Sequence, residues 1–160
     1  TILGLSLPVQ FIHRWNFNTA EDAIASFDFT IARAAIWVGT EQDAEKHAIV
    51  STICDDRFYP DLAAKRLVYC SPERIEELGG SMLRVLKFYQ RGYRIPLDSL
   101  GAVIARIASG IDEEKIAASV KSRNTSHEEE TARVLTGLLR EGDPAIDIEA
   151  FAETVFIGSN

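Results

Sequence analysis

An aspartate, Asp28, lies between two phenylalanines in FDFTIARAAIWV, a segment that is apolar at almost every position. Such a run is typical of a strand covered on both faces, where an unpaired carboxylate would be costly to bury. The structural interpretation is a strand-edge residue, or an aspartate satisfied by backbone N–H groups or by an arginine such as Arg33. The chemical interpretation is a metal site, because Mg²⁺ prefers hard oxygen ligands and can hold substrate phosphates at the same time.

The second feature that could do chemistry is the basic segment SMLRVLKFYQRGYR. Arg84, Lys87 and Arg91 are spaced i, i+3 and i+7, which places them on one face of a helix, and Arg94 follows. No acidic residue occurs between residues 78 and 97, so these four cations are uncompensated within an acidic chain. Basic helix faces are usually only solvated, but this one has aromatic residues interleaved and could instead hold a polyphosphate.

The elements that would position these residues begin with strand, short helix and strand. The pattern predicts a strand over about residues 8–15 and then a short helix, capped by Asn18 or Thr19 and acidic in its first turn. The FDF segment forms the next strand. A polar loop is expected over 39–47, followed by the short strand AIVSTI, which could pair antiparallel with residues 34–38.

The remainder of the chain is predicted to be helical. One helix is expected from about Pro60 to Tyr69, and another through the basic segment, with Ser81 as its cap and Gly92 at its end. Ser126 and Glu129 have the spacing of a capping box. Further helices are predicted at 97–108, about 112–122, 126–140 and 147–155. Together these elements predict an α+β fold: a small mixed β-sheet with flanking helices, followed by a helical C-terminal region.

Composition and charge limit the possible functions. Residues 1–110 carry 12 basic and 13 acidic side chains, whereas residues 111–160 carry 5 and 11, so we place a boundary near residue 110. With a net charge of −7, the chain is a poor candidate for a duplex DNA surface. No apolar run approaches the ~18 residues that cross a membrane. Cys54 and Cys70 lack metal-ligand spacing and are predicted to be free thiols of a cytoplasmic protein.

The order and spacing of the segments resemble the later half of the palm in nucleotidyltransferases of the DNA polymerase beta type. The resemblance is particularly to phage and bacterial members, in which a YDF or FDF strand precedes an arginine–lysine helix that ends in an RG-aromatic turn. It spans about residues 8–110. The matching segments are PVQFIHRW, AEDAIASF, FDFTIARAAIW, DLAAKRLVY and LRVLKFYQRGYRI.

The resemblance implies a metal-dependent nucleotidyl transfer. Asp28 would match the third metal-binding carboxylate of the family, a catalytic residue that helps to activate the attacking hydroxyl. Lys87 would match the helix lysine that contacts the nucleotide's phosphates, with Arg84 and Arg91 beside it. An acceptor hydroxyl, of unknown identity, would attack the α-phosphorus of a nucleoside triphosphate, while two Mg²⁺ ions stabilise the attacking and leaving oxygens.

One motif of the family does not occur in this sequence. The family has a Gly-Ser at a helix start, followed by Asp-x-Asp or Glu-x-Asp on the first palm strand, whereas Gly80-Ser81 is followed by no acid until Asp98. By the family's order the pair belongs upstream of Thr1, so we expect it in preceding sequence or in a second chain, unless catalysis has been lost. The alternative function is a non-catalytic interaction or regulatory protein on a palm-like scaffold, which would contact a protein partner through the acidic helical region 111–160.

Overall fold

The computed structural model describes residues 16–42, 48–72 and 78–142. Within these ranges the fold is α+β, as predicted, with a helical C-terminal region. The described sheet has two antiparallel strands rather than a mixed arrangement. In chain order the elements are α1 (Ala20–Ala25), a 3₁₀ turn (Thr30–Ala32), β1 (Ala34–Gln42), β2 (Ala48–Cys54), α2 (Phe58–Ala63), α3 (Gly80–Gln90), α4 (Leu97–Ala108), α5 (Glu113–Arg123) and α6 (His127–Gly142).

Helix α1 begins where the sequence predicts. The hydroxyl of Thr19, its N-cap, accepts a hydrogen bond from the backbone N–H of Asp22, and the acidic first turn suits the positive end of the helix dipole. Arg33 stabilises the other end, because its Nε donates to the carbonyl of Phe27 and its Nη2 to the carbonyl of Ala25. Both ends of this short helix are therefore satisfied by side chains.

The FDF segment is not a continuous strand, so that prediction was wrong. Phe29 makes only an isolated bridge to Tyr69, a 3₁₀ turn follows, and β1 begins at Ala34. Nor is β1 covered on both faces, since Ile36 is 73% exposed and Val38 is 63% exposed. The first part of the apolar run therefore lies in the core around Phe29, and the second part lies on the surface of a hairpin.

Strands β1 and β2 form an antiparallel hairpin, as predicted. Ala34 lies opposite Cys54 and Val38 opposite Val50, with a register shift between Val38 and Gln42. β1 thus extends into the predicted loop, of which residues 43–47 lie outside the described ranges. The predicted strand at 8–15 and helix at 147–155 lie outside them as well.

Helices α2 and α3 differ from the prediction at their ends. α2 ends at Ala63 because Lys65 adopts a left-handed conformation (φ 49°), and the chain then continues without helix. Ser81 is not the cap of α3 but lies inside the helix, where its hydroxyl donates to Asp28. Gly92 adopts φ 85° just after α3, so its predicted role at the helix end is confirmed.

The core that positions the FDF segment gathers around Phe29. Leu67 and Val103 are almost fully buried beside it, together with Ile31 and Val85. Burying each large apolar side chain stabilises the fold by roughly 1.5–3 kcal/mol. This cluster therefore holds the FDF segment firmly against α3 and α4.

Tyr69 packs edge-on against Phe29, with ring centroids 5.6 Å apart, and its hydroxyl is buried without a hydrogen-bond partner among the described residues. Such a group costs about 1–3 kcal/mol. We expect Tyr69→Phe to raise the free energy of unfolding in urea by about 1 kcal/mol. The control Tyr59→Phe, at an exposed ring, should change it by less than about 0.5 kcal/mol. A loss of stability in Tyr69→Phe would mean that the hydroxyl has a partner in solution.

The three helices after residue 96 follow the prediction to within about two residues. The capping box is confirmed, because the N–H of Glu129 donates to Ser126 Oγ (3.1 Å) and the N–H of Ser126 donates to Glu129 Oε2 (2.8 Å). Helix α6 packs on α3 and α4. The division of the chain near residue 110 stays a prediction. No helix within the described ranges is long and apolar enough to span a membrane.

Helices α3 and α6 touch through backbone at glycines. A methyl group built on Gly79 would overlap the carbonyl oxygen of Leu138 and would lie 2.7 Å from Leu139 Cα. At the other end of the contact, a methyl group on Gly142 would lie 2.7 Å from Gly80 Cα. The two helices are therefore as close as their backbones allow, and no side chain at these positions could be accommodated without moving a helix.

Candidate functional site

Asp28 lies in an internal ion pair. Its Oδ2 accepts hydrogen bonds from Ser81 Oγ and from Arg84 Nε, both at 2.7 Å, and the residue is only 5% exposed. The structural interpretation allowed a strand-edge position, backbone N–H groups or an arginine such as Arg33 as the explanation. The partner is an arginine, but it is Arg84, because Arg33 is engaged at the end of α1 and lies 3.7 Å from Asp55. The structure thus brings the carboxylate and the basic face of α3 together, and they meet at Arg84.

The described residues do not fit a Mg²⁺ site at Asp28. Mg²⁺ requires several oxygen ligands in near-octahedral geometry, and no group of three or more metal-binding side chains occurs in the part of the chain that the structure describes. The guanidinium of Arg84 already neutralises the carboxylate, so a cation at Oδ2 would have to displace it. The catalytic and metal-binding role that we predicted for Asp28 therefore gains no support from this geometry.

Lys87 and Arg91 are two cations of the basic face that could bind an anionic ligand. Lys87 follows Arg84 by one turn of α3, and Arg91 comes directly after the last residue of that helix. Both side chains are exposed, and neither forms an ion pair with any described residue. The Arg91 guanidinium lies 5.5 Å over the ring of Phe88, a contact that keeps it close to the helix.

A second basic strip, formed by Lys65 and Arg94, adjoins the end of α3. The N–H of Arg94 donates to the carbonyl of Lys65 and the N–H of Leu67 to the carbonyl of Arg94, both at 2.8 Å. Lys65 Nζ would lie 3.5 Å from a Cβ on Gly92, and the Arg94 guanidinium lies 4.9 Å over the ring of Tyr89. Spacing within one helix could not predict Lys65, because its position depends on the left-handed turn after α2.

A second buried carboxylate, Asp61, was not predicted from the sequence. It is 0% exposed and accepts hydrogen bonds from Thr30 Oγ1 (2.7 Å), Arg66 Nε (2.8 Å), and Nε and Nη2 of Arg57 (both 3.1 Å). Burial by itself would raise the pKa of Asp61, but these bonds outweigh burial and hold the pKa at about 2. The i, i+4 spacing of Arg57 and Asp61 was a usable signal. Nothing in the local sequence indicates the contact with Thr30.

A groove of about 510 Å³ lies between α1 and residues 70–72, lined by Asp22, Arg33 and Cys70 among others. Burial raises the pKa of the Cys70 thiol, so the thiol is protonated near neutral pH and is a weak nucleophile. Arg33 is committed to backbone carbonyls there. The Cys70 thiol is therefore not prepared for nucleophilic chemistry, and the basic face of α3 is the stronger candidate site.

No protein-family model matches the chain, and no curated protein or solved structure is significantly similar to it. The resemblance to the polymerase beta palm therefore stays a prediction from the sequence.

Proposed function

We propose that this chain binds the phosphates of a nucleoside triphosphate on the basic face of α3, as the nucleotide-binding part of a nucleotidyltransferase-type protein. The observation that supports this is the exposure of Lys87 and Arg91 next to Arg84, neither of them in an ion pair with a described residue. Like charges on one helix face repel one another. A bound polyphosphate would replace that repulsion with charge-assisted hydrogen bonds.

Transfer of a nucleoside monophosphate would need more than these cations. It requires metal-binding carboxylates, and the described residues supply no such cluster around Asp28. Nucleotide binding is therefore the function that the geometry supports best. We expect the protein to act in the cytoplasm, because both cysteines are free thiols and a reducing compartment keeps them so.

We expect Lys87→Ala to weaken the binding of a nucleoside triphosphate about five- to tenfold, because one charge-assisted contact to phosphate is lost. The measurement is isothermal titration of the full chain with each of the four common nucleoside triphosphates, with and without Mg²⁺. An increase in the dissociation constant with rising salt should accompany binding, since the contacts are between charges near the surface.

The control is Lys121→Ala. Lys121 is likewise an exposed helical lysine without an acidic partner in the described ranges, but it lies on α5. Its replacement should change the affinity less than twofold, a change expected for any surface charge. Equal losses in the two variants, or no binding of any triphosphate at millimolar concentration, would contradict the proposed function.

The second candidate is a non-catalytic interaction domain that contacts a protein through its acidic helices. It is favoured by the internal neutralisation of Asp28 and by exposed acids in the first turns of α5 and α6, namely Glu113, Glu114, Glu128 and Glu129. Such a protein would bind no triphosphate, so the titration described above separates the two candidates.

A further inference from the structure

We propose that Asp28 and Ser81 hold Arg84 in place as the arginine that grips a phosphate of the bound nucleotide, an inference that rests on the proposed nucleotide binding. In this assignment the buried carboxylate does not bind a metal. Asp28 is a positioning residue that acts through the guanidinium of Arg84.

The first observation is that the described residues hold Arg84 at its inner nitrogen, Nε, and at no other atom. Its Nε donates to Asp28 Oδ2 at 2.7 Å, and Ser81, one turn earlier on α3, donates to the same oxygen at 2.7 Å. Since Asp28 is buried next to the core residue Phe29, it is an anchor that cannot move far. The guanidinium is thereby tied to the rigid part of the fold.

The second observation is that the outer end of Arg84 has no partner among the residues that the structure describes. The side chain is 41% exposed, and neither terminal nitrogen has an acceptor among the described residues. A guanidinium has five N–H donors, and within the described part of the chain only the donor on Nε is used. The four N–H groups on the terminal nitrogens remain for a ligand.

The chemistry of these donors favours phosphate. The planar fork of an arginine matches two oxygens of one phosphate group, and a side chain that is already held in place loses less conformational entropy when it binds. Lys87 follows one turn later and can meet a neighbouring phosphate as a point charge. A chain of phosphates can engage these cations together, which a single carboxylate cannot do.

The competing explanation is that the Asp28–Arg84 pair only stabilises the fold. The two explanations predict opposite signs for one variant. If the pair is merely structural, Asp28→Asn removes a negative charge from beside the basic face, and anion binding should become tighter or stay unchanged. If Asp28 positions Arg84, the same variant releases the guanidinium, and binding should become weaker.

The test titrates the full chain with inorganic tripolyphosphate, which isolates the phosphate contacts from those of the base and the sugar. We expect Arg84→Lys to bind about tenfold more weakly despite its retained charge, because an ammonium cannot form the fork. Asp28→Asn should bind about fivefold more weakly, and Ser81→Ala two- to threefold, each measured below the melting temperature found by circular dichroism. Lys121→Ala is again the control.

The outcomes separate this inference from the function on which it rests. If the wild-type chain binds neither tripolyphosphate nor a nucleoside triphosphate, the proposed function fails and this assignment with it. If Lys87→Ala weakens binding but Arg84→Lys, Ser81→Ala and Asp28→Asn bind like the wild type, only the assignment of Arg84 and Asp28 is overturned. Should Asp28→Asn fail to fold, Arg84→Lys and Ser81→Ala decide whether Asp28 positions Arg84. Both variants keep a cation beside the buried carboxylate of Asp28, so both are expected to fold.

Discussion

Replacing Asp61 with asparagine is expected to lower the free energy of unfolding by about 3 kcal/mol, the largest effect that we predict for a single side chain. The carboxylate is fully buried and accepts hydrogen bonds from Thr30, Arg57 and Arg66. An amide of the same shape cannot neutralise the two guanidinium groups, and its own N–H₂ group would face donors. Both arginines are partly exposed and can be hydrated in the variant. The expected loss of unfolding free energy is therefore at the low end of the range for breaking a buried ion pair. Urea denaturation at pH 7 measures it.

The matched control is Asp56→Asn, at an exposed aspartate five residues earlier, which should change the stability by less than about 0.5 kcal/mol.

The pH dependence of unfolding gives an independent check on the role of the Asp61 charge. The pKa of Asp61 is held at about 2, below its ordinary value of 3.8, so its stabilisation is present above about pH 4 and is lost as the pH falls through 2. The difference in unfolding free energy between wild type and Asp61→Asn should therefore decrease by about 2 kcal/mol as the pH is lowered from 5 to 2. A difference that does not change with pH would mean that the charge of Asp61 is not what stabilises the fold.

Replacing Gly79 with alanine is expected to lower the free energy of unfolding by at least about 2 kcal/mol. Gly79 has ordinary right-handed helical torsions (φ −77°, ψ −17°), so alanine suffers no backbone strain there. The cost comes only from the methyl group, which would meet backbone atoms of Leu138 and Leu139 on α6. Because backbone atoms cannot rotate away as the end of a side chain can, α6 would have to shift relative to α3. Thermal and urea denaturation measure the loss.

Gly137 supplies the control for Gly79, because it lies within α6 and a methyl group there would meet nothing within 4 Å. Gly137→Ala should raise the free energy of unfolding by up to about 1 kcal/mol, as alanine favours helix over glycine. Opposite signs in the two variants are the expected result. If both variants proved more stable than the wild type, the close contact between α3 and α6 could not exist as the structure has it.

Features that depend on neighbouring residues in the chain could be predicted from the sequence. The N-cap at Thr19 and the capping box of Ser126 and Glu129 were found in this way, because each satisfies backbone groups three residues away. Helix α4 and the pairing of β1 with β2 were also predicted, from apolar periodicity and short connections. The caps are decided within three residues, and even the hairpin pairs residues no more than 20 positions apart, Ala34 with Cys54.

The FDF segment shows why other features could not be predicted. An unbroken apolar run looks the same whether it is one buried strand or, as here, a core residue at Phe29 followed by a turn and an exposed hairpin. Lys65 ends α2 in a left-handed conformation that favours glycine or asparagine, so nothing in its residue type announces the turn. In both segments the chain contacts residues that lie far away in the sequence: Phe29 bridges to Tyr69, and the carbonyl of Lys65 accepts from the N–H of Arg94.

The candidate site was predictable in its residue types but not in its pairings. Periodicity indicated that Arg84 and Lys87 share a face of α3, and the cost of burial indicated that Asp28 needs a partner. The sequence could not show that Arg84 is that partner, since 56 residues separate the two side chains. A free carboxylate attracts a metal cation, whereas the charge of Asp28 is already neutralised by the guanidinium of Arg84.

The glycine contact between α3 and α6 also bears on the order in which the chain folds. Gly80 and Gly142 touch although 62 residues separate them, and closing so large a loop costs more chain entropy than closing a short one. Helices α5 and α6, by contrast, pack on each other across a connection of only three residues. We expect this local helical pair to assemble first and to dock onto α3 late, so that the last step of folding is also the one that encloses Gly79.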